Sequence, residues 1–299
     1  MLQALMPLLV DGLANAALIF FVAVGLSLVF SVLRILNVAH GSFYAIGAYA
    51  SVSLSLWIVS AGLSPWLTLP ALAVSAAIVA AILGPAVERG FLRWTYGRPE
   101  SLQILVTFAL FLIFEDLQKL VFGVQSLYQD APVQLFGTSE IGGILYLNYQ
   151  LVLIALAVLV VVALRLLMSY TRFGKLMVAV VADPEVSQAL GIDTRRVYMA
   201  AFTLGVFLAA FGGALASPTV GVAPGTGPEA IVLAFAVAAI GGLGQIEGAA
   251  LAALVVGVVR VLAIYFAPEF EAVVPYLVML AVLLVRPYGL FGSVRVRRI

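Results

Sequence analysis

Glu115, Asp116, Lys119, Arg260 and the single histidine of this 299-residue chain fall within, or at the start of, long apolar runs, where an ionisable group must be paired or put to use. Glu115, Asp116 and Lys119 share one run. Lys119 follows Glu115 by four positions and Asp116 by three, so one helix face can join an ammonium to a carboxylate. One carboxylate is then left over, and a bare charge at mid-bilayer costs about 3 kcal/mol or more. It needs a partner on another helix or a place near the exterior interface. Interfacial pairing is the structural reading of the trio, and a proton relay is the sharper one. Arg260 has no acidic residue three or four positions away. It must snorkel or meet a carboxylate from another helix, with Glu115 and Asp116 as candidates. Asn37, His40 and Gly41 open a further apolar run, where their donors and exposed N–H groups could meet a carboxylate or a broken helix. The plainer reading makes Asn37 an N-cap and Gly41 a close-packing position.

The elements that hold these residues follow from composition. With 64% hydrophobic and 10% charged positions, the chain is too apolar for a soluble domain, where about 25% charge is usual. In hydrocarbon such a surface needs no cover, provided each backbone N–H and C=O is paired within a helix. The runs approach the about 20 residues that span a bilayer, and no alternating segments of the barrel kind occur. The expected fold is all-α, a polytopic transmembrane bundle of about 8–9 segments in a single domain over 1–299. The segments read as 11–33, 38–60, 66–87, 101–122, 148–168, 197–217, 229–242, 247–267 and 272–287. The seventh is short and flanked by glycines, so spanning and re-entrant forms both stay open. A net charge of +1 points to no nucleic-acid partner, and the absence of cysteine removes disulfides, thiol catalysis and Cys-based metal sites. No catalytic residue, metal site or cofactor is expected. The first charge is Asp11 and no basic n-region precedes it, so the first run reads as a permanent helix.

Basic residues orient the bundle. With the N-terminus outside, the cytoplasmic turns carry Arg34, then Arg89, Arg93 and Arg98, then Arg165, Arg172, Lys175, Arg195 and Arg196. The C-terminal end adds Arg286, Arg295, Arg297 and Arg298. These are 13 of the 15 Lys+Arg, while the exterior connections carry Asp130, Glu140, Glu229, Glu269 and Glu271. Short loops obey the positive-inside bias in this arrangement, with the C-terminus cytoplasmic.

The longest cytoplasmic connection, 169–196, contains Asp183-Pro184-Glu185, which reads as a helix start: Asp as N-cap, Pro at the first position, Glu in the first turn. Gly191 reads as the stop. A short helix, Pro184–Leu190, would lie along the membrane with Val186, Ala189 and Leu190 free to pack. It is an ordinary surface helix or an element that seats in a partner's groove, and pattern alone leaves both standing. Small residues also recur every four positions: Gly205, Ala209, Gly213 and Ser217, then Ala249, Ala253 and Gly257, with Gly244 and Gly248 repeating the interval. Such ladders let helix backbones approach closely, within one chain or across a seam with a second. The stretches 221–227 and 241–248, with Gly241, Gly242 and Gly244, break backbone regularity around the seventh segment. Irregular backbone at membrane depth is tolerated where it lines a cavity, so 221–248 is the expected solute path.

Three blocks resemble a known family. Asn37-Val38-Ala39-His40-Gly41-Ser42-Phe43-Tyr44 followed by Gly47-Ala48-Tyr49, the stretch Ala182-Asp183-Pro184-Glu185 through Ala189-Leu190-Gly191-Ile192, and Gly241-Gly242-Leu243-Gly244-Gln245-Ile246-Glu247-Gly248-Ala249 are similar to signatures of branched-chain amino acid ABC permeases of the LivH type. The resemblance implies one membrane subunit of a bacterial inner-membrane importer. Its partners would be a second homologous permease, two cytoplasmic ATP-binding subunits and a periplasmic solute-binding protein, and Asp183, Pro184, Glu185, Ala189, Leu190 and Gly191 would form the ATPase-coupling segment. The chain has no G-x-x-x-x-G-K-[ST] phosphate loop, so it is not expected to be an enzyme and nucleotide chemistry falls to partners. Rival readings are an ion-coupled secondary transporter using the embedded charges, a channel-like or purely structural membrane subunit, and an ABC permease for urea or short amides.

Overall fold

The computed structural model describes residues 2–141 and 144–292, so Arg295, Arg297 and Arg298 lie outside the described residues. Every one of the nine apolar runs is helical. In chain order the elements are α1 (Leu2–Leu33), α2 (His40–Ser60), α3 (Thr68–Gly90), α4 (Glu100–Phe122), α5 (Ala131–Phe136), β1 (Thr138–Ile141), β2 (Ile144–Leu147), α6 (Asn148–Tyr170), α7 (Arg172–Ala182), α8 (Pro184–Ala189), α9 (Thr194–Val220), α10 (Thr226–Gly241), α11 (Ile246–Phe266) and α12 (Val274–Val285). Six helices, α1, α2, α3, α6, α9 and α11, are long and apolar enough to cross a membrane. The helix α4 matches them in length but carries Glu100, Glu115, Asp116 and Lys119. The helices α10 and α12, at 16 and 12 residues, reach about 24 and 18 Å at 1.5 Å per residue.

The all-α expectation needs one correction. Between α4 and α6 the chain forms α5 and an antiparallel hairpin, in which Thr138 faces Leu147 and Ile141 faces Ile144. The segment is too short and too mixed in character to stand out beside 20-residue apolar runs.

The bundle is built around α1 and α9. The helix α1 packs against α6, α9, α10 and α11, and α9 packs against α2 and α3. Phe21, Val24, Leu26 and Leu28 of α1 are completely buried, so this helix is apolar on all sides because protein covers all sides. Outer faces carry exposed Ile82, Leu105, Leu120, Leu159 and Leu284, a surface suited to lipid rather than water. The small-residue ladders serve contacts inside the chain. A Cβ on Gly25 would stand 2.7 Å from the Gly205 carbonyl oxygen, one on Gly213 would strike the Tyr44 carbonyl, and one on Gly257 would strike Ala16.

The two ends of the bundle sort by charge. Arg89, Arg93, Arg195 and Arg196 line one surface recess, and Arg34 neighbours Tyr288 in another at the same end. At the opposite end Gln150 and Tyr265 both donate to Asp11, at 2.8 Å each, and Leu127 and Val222 exchange backbone hydrogen bonds at 2.9 Å.

Two connections enter the bundle instead of crossing over its surface. At the end of α1, Arg34 adopts a left-handed φ of 58° and turns the chain back. Leu36 then accepts from the Thr107 hydroxyl at 3.2 Å, seven residues or about 10 Å into α4. His40, the first residue of α2, packs on Gly25, eight residues before the end of α1. So α2 begins at membrane depth. From the acidic end, Gly221 and Gly225 take φ of 76° and 99°, and the chain descends to start α10 beside Glu115, seven residues or about 10 Å in from the acidic end of α4.

Candidate functional site

The two inserted helix starts meet. A Cβ on Gly41 of α2 would clash with the Gly227 carbonyl and stand 2.7 Å from Cβ of Ile231, both on α10. On the other side of Gly227, Glu115 Oε1 is 2.6 Å from the position a Cβ would take. A carboxylate therefore sits at the N-terminal turn of α10, where four backbone N–H groups lack intrahelical partners and the helix dipole favours negative charge. Glu115 is thus the left-over carboxylate of its trio, because Lys119 pairs with Asp116 at 3.1 Å on an exposed face.

Around this junction, buried polar atoms have hydrogen-bonding capacity that the described residues do not use: both side-chain atoms of Asn37, the hydroxyls of Ser42 and Tyr49, Gln118 Nε2 and Glu115 Oε1. Each such atom costs about 1–3 kcal/mol if left dry. Asn37 does not cap α2. The N-cap position is Ala39 and makes no side-chain hydrogen bond, since the irregular entry of residues 34–37 places Asn37 too far back. His40 is completely buried, its ring edge-on to Phe43 and facing the Val22 backbone, with neither nitrogen in a well-formed hydrogen bond.

Nearer the acidic end, α1, α2, α9, α10 and α11 enclose a cavity of about 330 Å³. Arg260 lies in its wall and reaches Glu271 at 2.9 Å and Glu229 at 3.4 Å. The pairing of Arg260 with Glu115 or Asp116 is therefore corrected. Glu229 is on α10, packed directly on the arginine's own helix, and Glu271 follows that helix in the chain, so both are nearer than anything on α4.

Gly241, Gly242 and Gly244 are not part of this junction. They lie at the far end of α10, about 21 Å from Gly227. Gly241 packs on Gly248, Gly242 (φ 95°) on Gly292 and Tyr288, and Gly244 (φ 85°) on Ser31. Gly244 borders a second cavity of about 500 Å³ with Ser31, Arg34, Gln245 and Tyr288. Backbone donors close the end of α10: Leu290 N–H reaches the Ile240 carbonyl at 2.8 Å and Phe291 N–H the Gly241 carbonyl at 3.2 Å.

At the basic end, Asp183, Pro184, Glu185, Ala189, Leu190 and Gly191 form one exposed corner. The Asp183 carboxylate accepts from the N–H groups of Glu185 and Val186, both at 3.0 Å, and caps α8. Gly191, at φ 84°, ends it. The connection holds two helices, α7 and α8, because the extended backbone of Asp183 separates them. Met177 and Val180 of α7 are buried against the bundle, while Val186 of α8 and Leu190 just after it are 54% and 76% exposed.

Sequence reasoning missed Glu88. It is completely buried at the end of α3, pairs with Arg93 at 2.9 Å and accepts from the Tyr96 hydroxyl at 3.0 Å. Burial first, and then the neighbouring Glu88 carboxylate, push the Tyr96 phenol well above the ordinary tyrosine range. The Tyr96 ring meets Tyr198 of α9 edge-on at 5.2 Å, and Gln188 of α8 donates to Thr194, the first residue of α9, at 2.9 Å. The α3–α4 elbow and the α8 corner are thereby joined through the first turns of α9. The signal in the sequence is a Glu five residues before Arg93 and eight before Tyr96, at a helix end.

The family described as the permease component of the branched-chain amino acid transport system matches residues 8–283. The high-affinity branched-chain amino acid transport system permease protein LivH of Salmonella typhimurium is 28% identical, over 97% of this chain and 96% of that protein. The corresponding protein BraD of Pseudomonas aeruginosa is 29% identical over 97% of each. LivM of Escherichia coli is 28% identical over 95% of this chain and 70% of its own length.

Proposed function

The chain belongs to the branched-chain amino acid transport permease family, and from that premise we propose that it is the membrane-spanning subunit of an ATP-driven importer of branched-chain or related hydrophobic amino acids. It would sit in the bacterial inner membrane with its basic end in the cytoplasm, beside a second permease, two ATP-binding subunits and a periplasmic solute-binding protein. Likeness to both LivH and LivM proteins supports a pair of related permeases. The single domain would run the length of the chain, with α10 and its inserted neighbour α2 at the heart of the path. Asn37, His40 and Gly41 would act at mid-depth, and Gly241, Gly242 and Gly244 at the inner mouth.

The observation that carries the ATP-driven reading is α8. A capped, Gly-ended helix holds Val186, Ala189 and Leu190 out on the basic end while α7 anchors it from behind. Exposed aliphatic side chains in water are a cost unless a partner covers them, and helix-in-groove docking is the mode they suit. A secondary transporter gains little support, because Asp116–Lys119 and Arg260–Glu229–Glu271 are two separate clusters rather than a chain of groups leading across the bundle.

The test is reconstitution of the chain with its ATPase and companion permease in vesicles, then replacement of Val186 and Leu190 by Asp. Uptake should fall at least tenfold while the purified subunit keeps its thermal stability. Uptake that follows an ion gradient with no ATPase present would sink the proposal.

A further inference from the structure

We propose that the cavity around Arg260 is a binding site for a zwitterionic α-amino acid inside this single subunit, on the acidic-end side of the Gly41–Gly227 junction. The inference rests on the amino-acid importer reading and assigns the place where the ammonium and carboxylate are recognised.

The charged wall is incompletely used. Both ion pairs of Arg260 are made by Nη2, which reaches Glu229 Oε1 and Glu271 Oε1. A guanidinium carries five N–H donors, so those on Nη1 and Nε remain to meet a carboxylate through single hydrogen bonds, both bidentate forks being shared with the occupied Nη2. Each glutamate engages Arg260 through one oxygen, which leaves the other oxygen of each to accept from an ammonium. One cation and two anions sum to one negative charge, so the wall on its own favours the ammonium end. Asn15 Oδ1, also in the cavity lining, is a buried acceptor with no partner among the described residues.

Apart from Tyr44 and Thr226 the rest of the lining is apolar, with Leu18, Ile19, Val22 and Leu233 available to a hydrocarbon side chain. A volume of about 330 Å³ lies at the lower end of small-ligand sites, which run from about 300 Å³ upward. Arg260 is 18% exposed while Glu229 and Glu271 are 67% and 38% exposed, so the charged wall opens toward the acidic end and a ligand could enter from there. A purely structural tie between α10 and α11 needs neither the cavity nor the unused donors.

The chain has no cysteine, so a single introduced thiol can be read without background. Ala230 and Arg260 both line the cavity. The full-length Ala230→Cys chain, held in nanodiscs of lipids without amine headgroups, is labelled with a small thiol reagent alone and with leucine, leucine amide or 4-methylpentanoate. Leucine should slow labelling at least threefold. The amide, which lacks the carboxylate, and the acid, which lacks the ammonium, should protect at least tenfold less well by concentration. Adding Arg260→Gln should abolish protection without slowing labelling itself, and a thiol at Leu190 should be indifferent to all three compounds. Protection by the amide or the acid equal to that by leucine, or protection that survives Arg260→Gln, overturns the site. So does an absence of protection by leucine. The vesicle assay with Val186 and Leu190 replaced judges the importer reading by itself, so the two can fail separately.

Discussion

One carboxylate oxygen of Glu115 lies 2.6 Å from the point where a Cβ on Gly227 would stand, against the opening turn of α10. A negative charge at a helix N-terminus stabilises by about 0.3–1 kcal/mol, and up to about 2 kcal/mol where partly buried. Glu115→Gln should lower the thermal stability of the detergent-solubilised chain modestly, by about 1 kcal/mol. Glu115→Lys should cost clearly more, because it puts a cation at the positive end of the dipole. Equal stability of the glutamine and lysine variants would mean that the dipole contributes nothing here.

Gly227→Ala and Gly47→Ala should separate by severity. The added methyl at 227 meets the free end of a side chain that can rotate away, whereas at 47 it meets the backbone of Ala210 in α9. Overpacking against backbone costs about 1–3 kcal/mol or more. Gly47→Ala is expected to cut the yield of folded protein severely, while Gly227→Ala yields folded protein near the natural level. Fluorescence-detected size exclusion reads both.

Glu88 ties the α3–α4 elbow through Arg93 and Tyr96. Breaking a buried pair is expensive, about 3–5 kcal/mol, when it strands a buried charge, so Arg93→Ala, which leaves the fully buried Glu88 without its cation, should destabilise more than Glu88→Ala, which leaves Arg93, at 32% exposure, able to reach solvent. If the two variants melt alike, the carboxylate is not the buried centre of the network.

Tyr96 gives a pH dependence with a definite sign. Its phenol is raised above the ordinary value of 10.0 in the folded chain, so the folded state binds that proton more tightly than the unfolded one. Its contribution to stability is whole below pH 10 and declines as pH climbs beyond that. Tyr96→Phe loses a hydrogen bond worth about 1 kcal/mol at neutral pH but lacks this alkaline penalty. The stability gap between natural chain and variant should therefore shrink between pH 10 and 11, as followed by chemical denaturation. A gap that stays constant across that range would contradict the assignment.

Asp183→Ala should loosen α8 without deleting its apolar face. A lost N-cap costs about 1 kcal/mol, so transport coupling should drop by less than for Val186 and Leu190 replaced together. Asp183→Asn, which keeps an acceptor, should restore most of it. Uptake and ATP hydrolysis measured in the same vesicles distinguish the three.

Helices were legible in the sequence because length and hydrophobicity are local properties, and all nine apolar runs are helical. The α8 cap was equally legible, since Asp183, Pro184 and Gly191 act on their immediate neighbours. What escaped depends on contacts between distant residues. Arg260 announces its need for a carboxylate, but only packing chooses Glu229 and Glu271 over Glu115. Asn37 looks like a cap by type, yet the left-handed turn at Arg34 and the inserted strand of chain put the helix start two residues later than such a cap requires. Glu88 was hidden because a glutamate near an arginine at a helix end reads as surface until the elbow closes over it. The hairpin after α5 lacked alternation strong enough to notice.

The tail after α12 donates its N–H groups to the carbonyls that finish α10, at Ile240 and Gly241. Two pieces of chain almost fifty residues apart are therefore bolted together as a single strut. Any tilt of α10 during a transport cycle must swing the segment around Leu290 with it. A spectroscopic tag in that segment would report the motion of a largely enclosed helix from a position that reagents can reach.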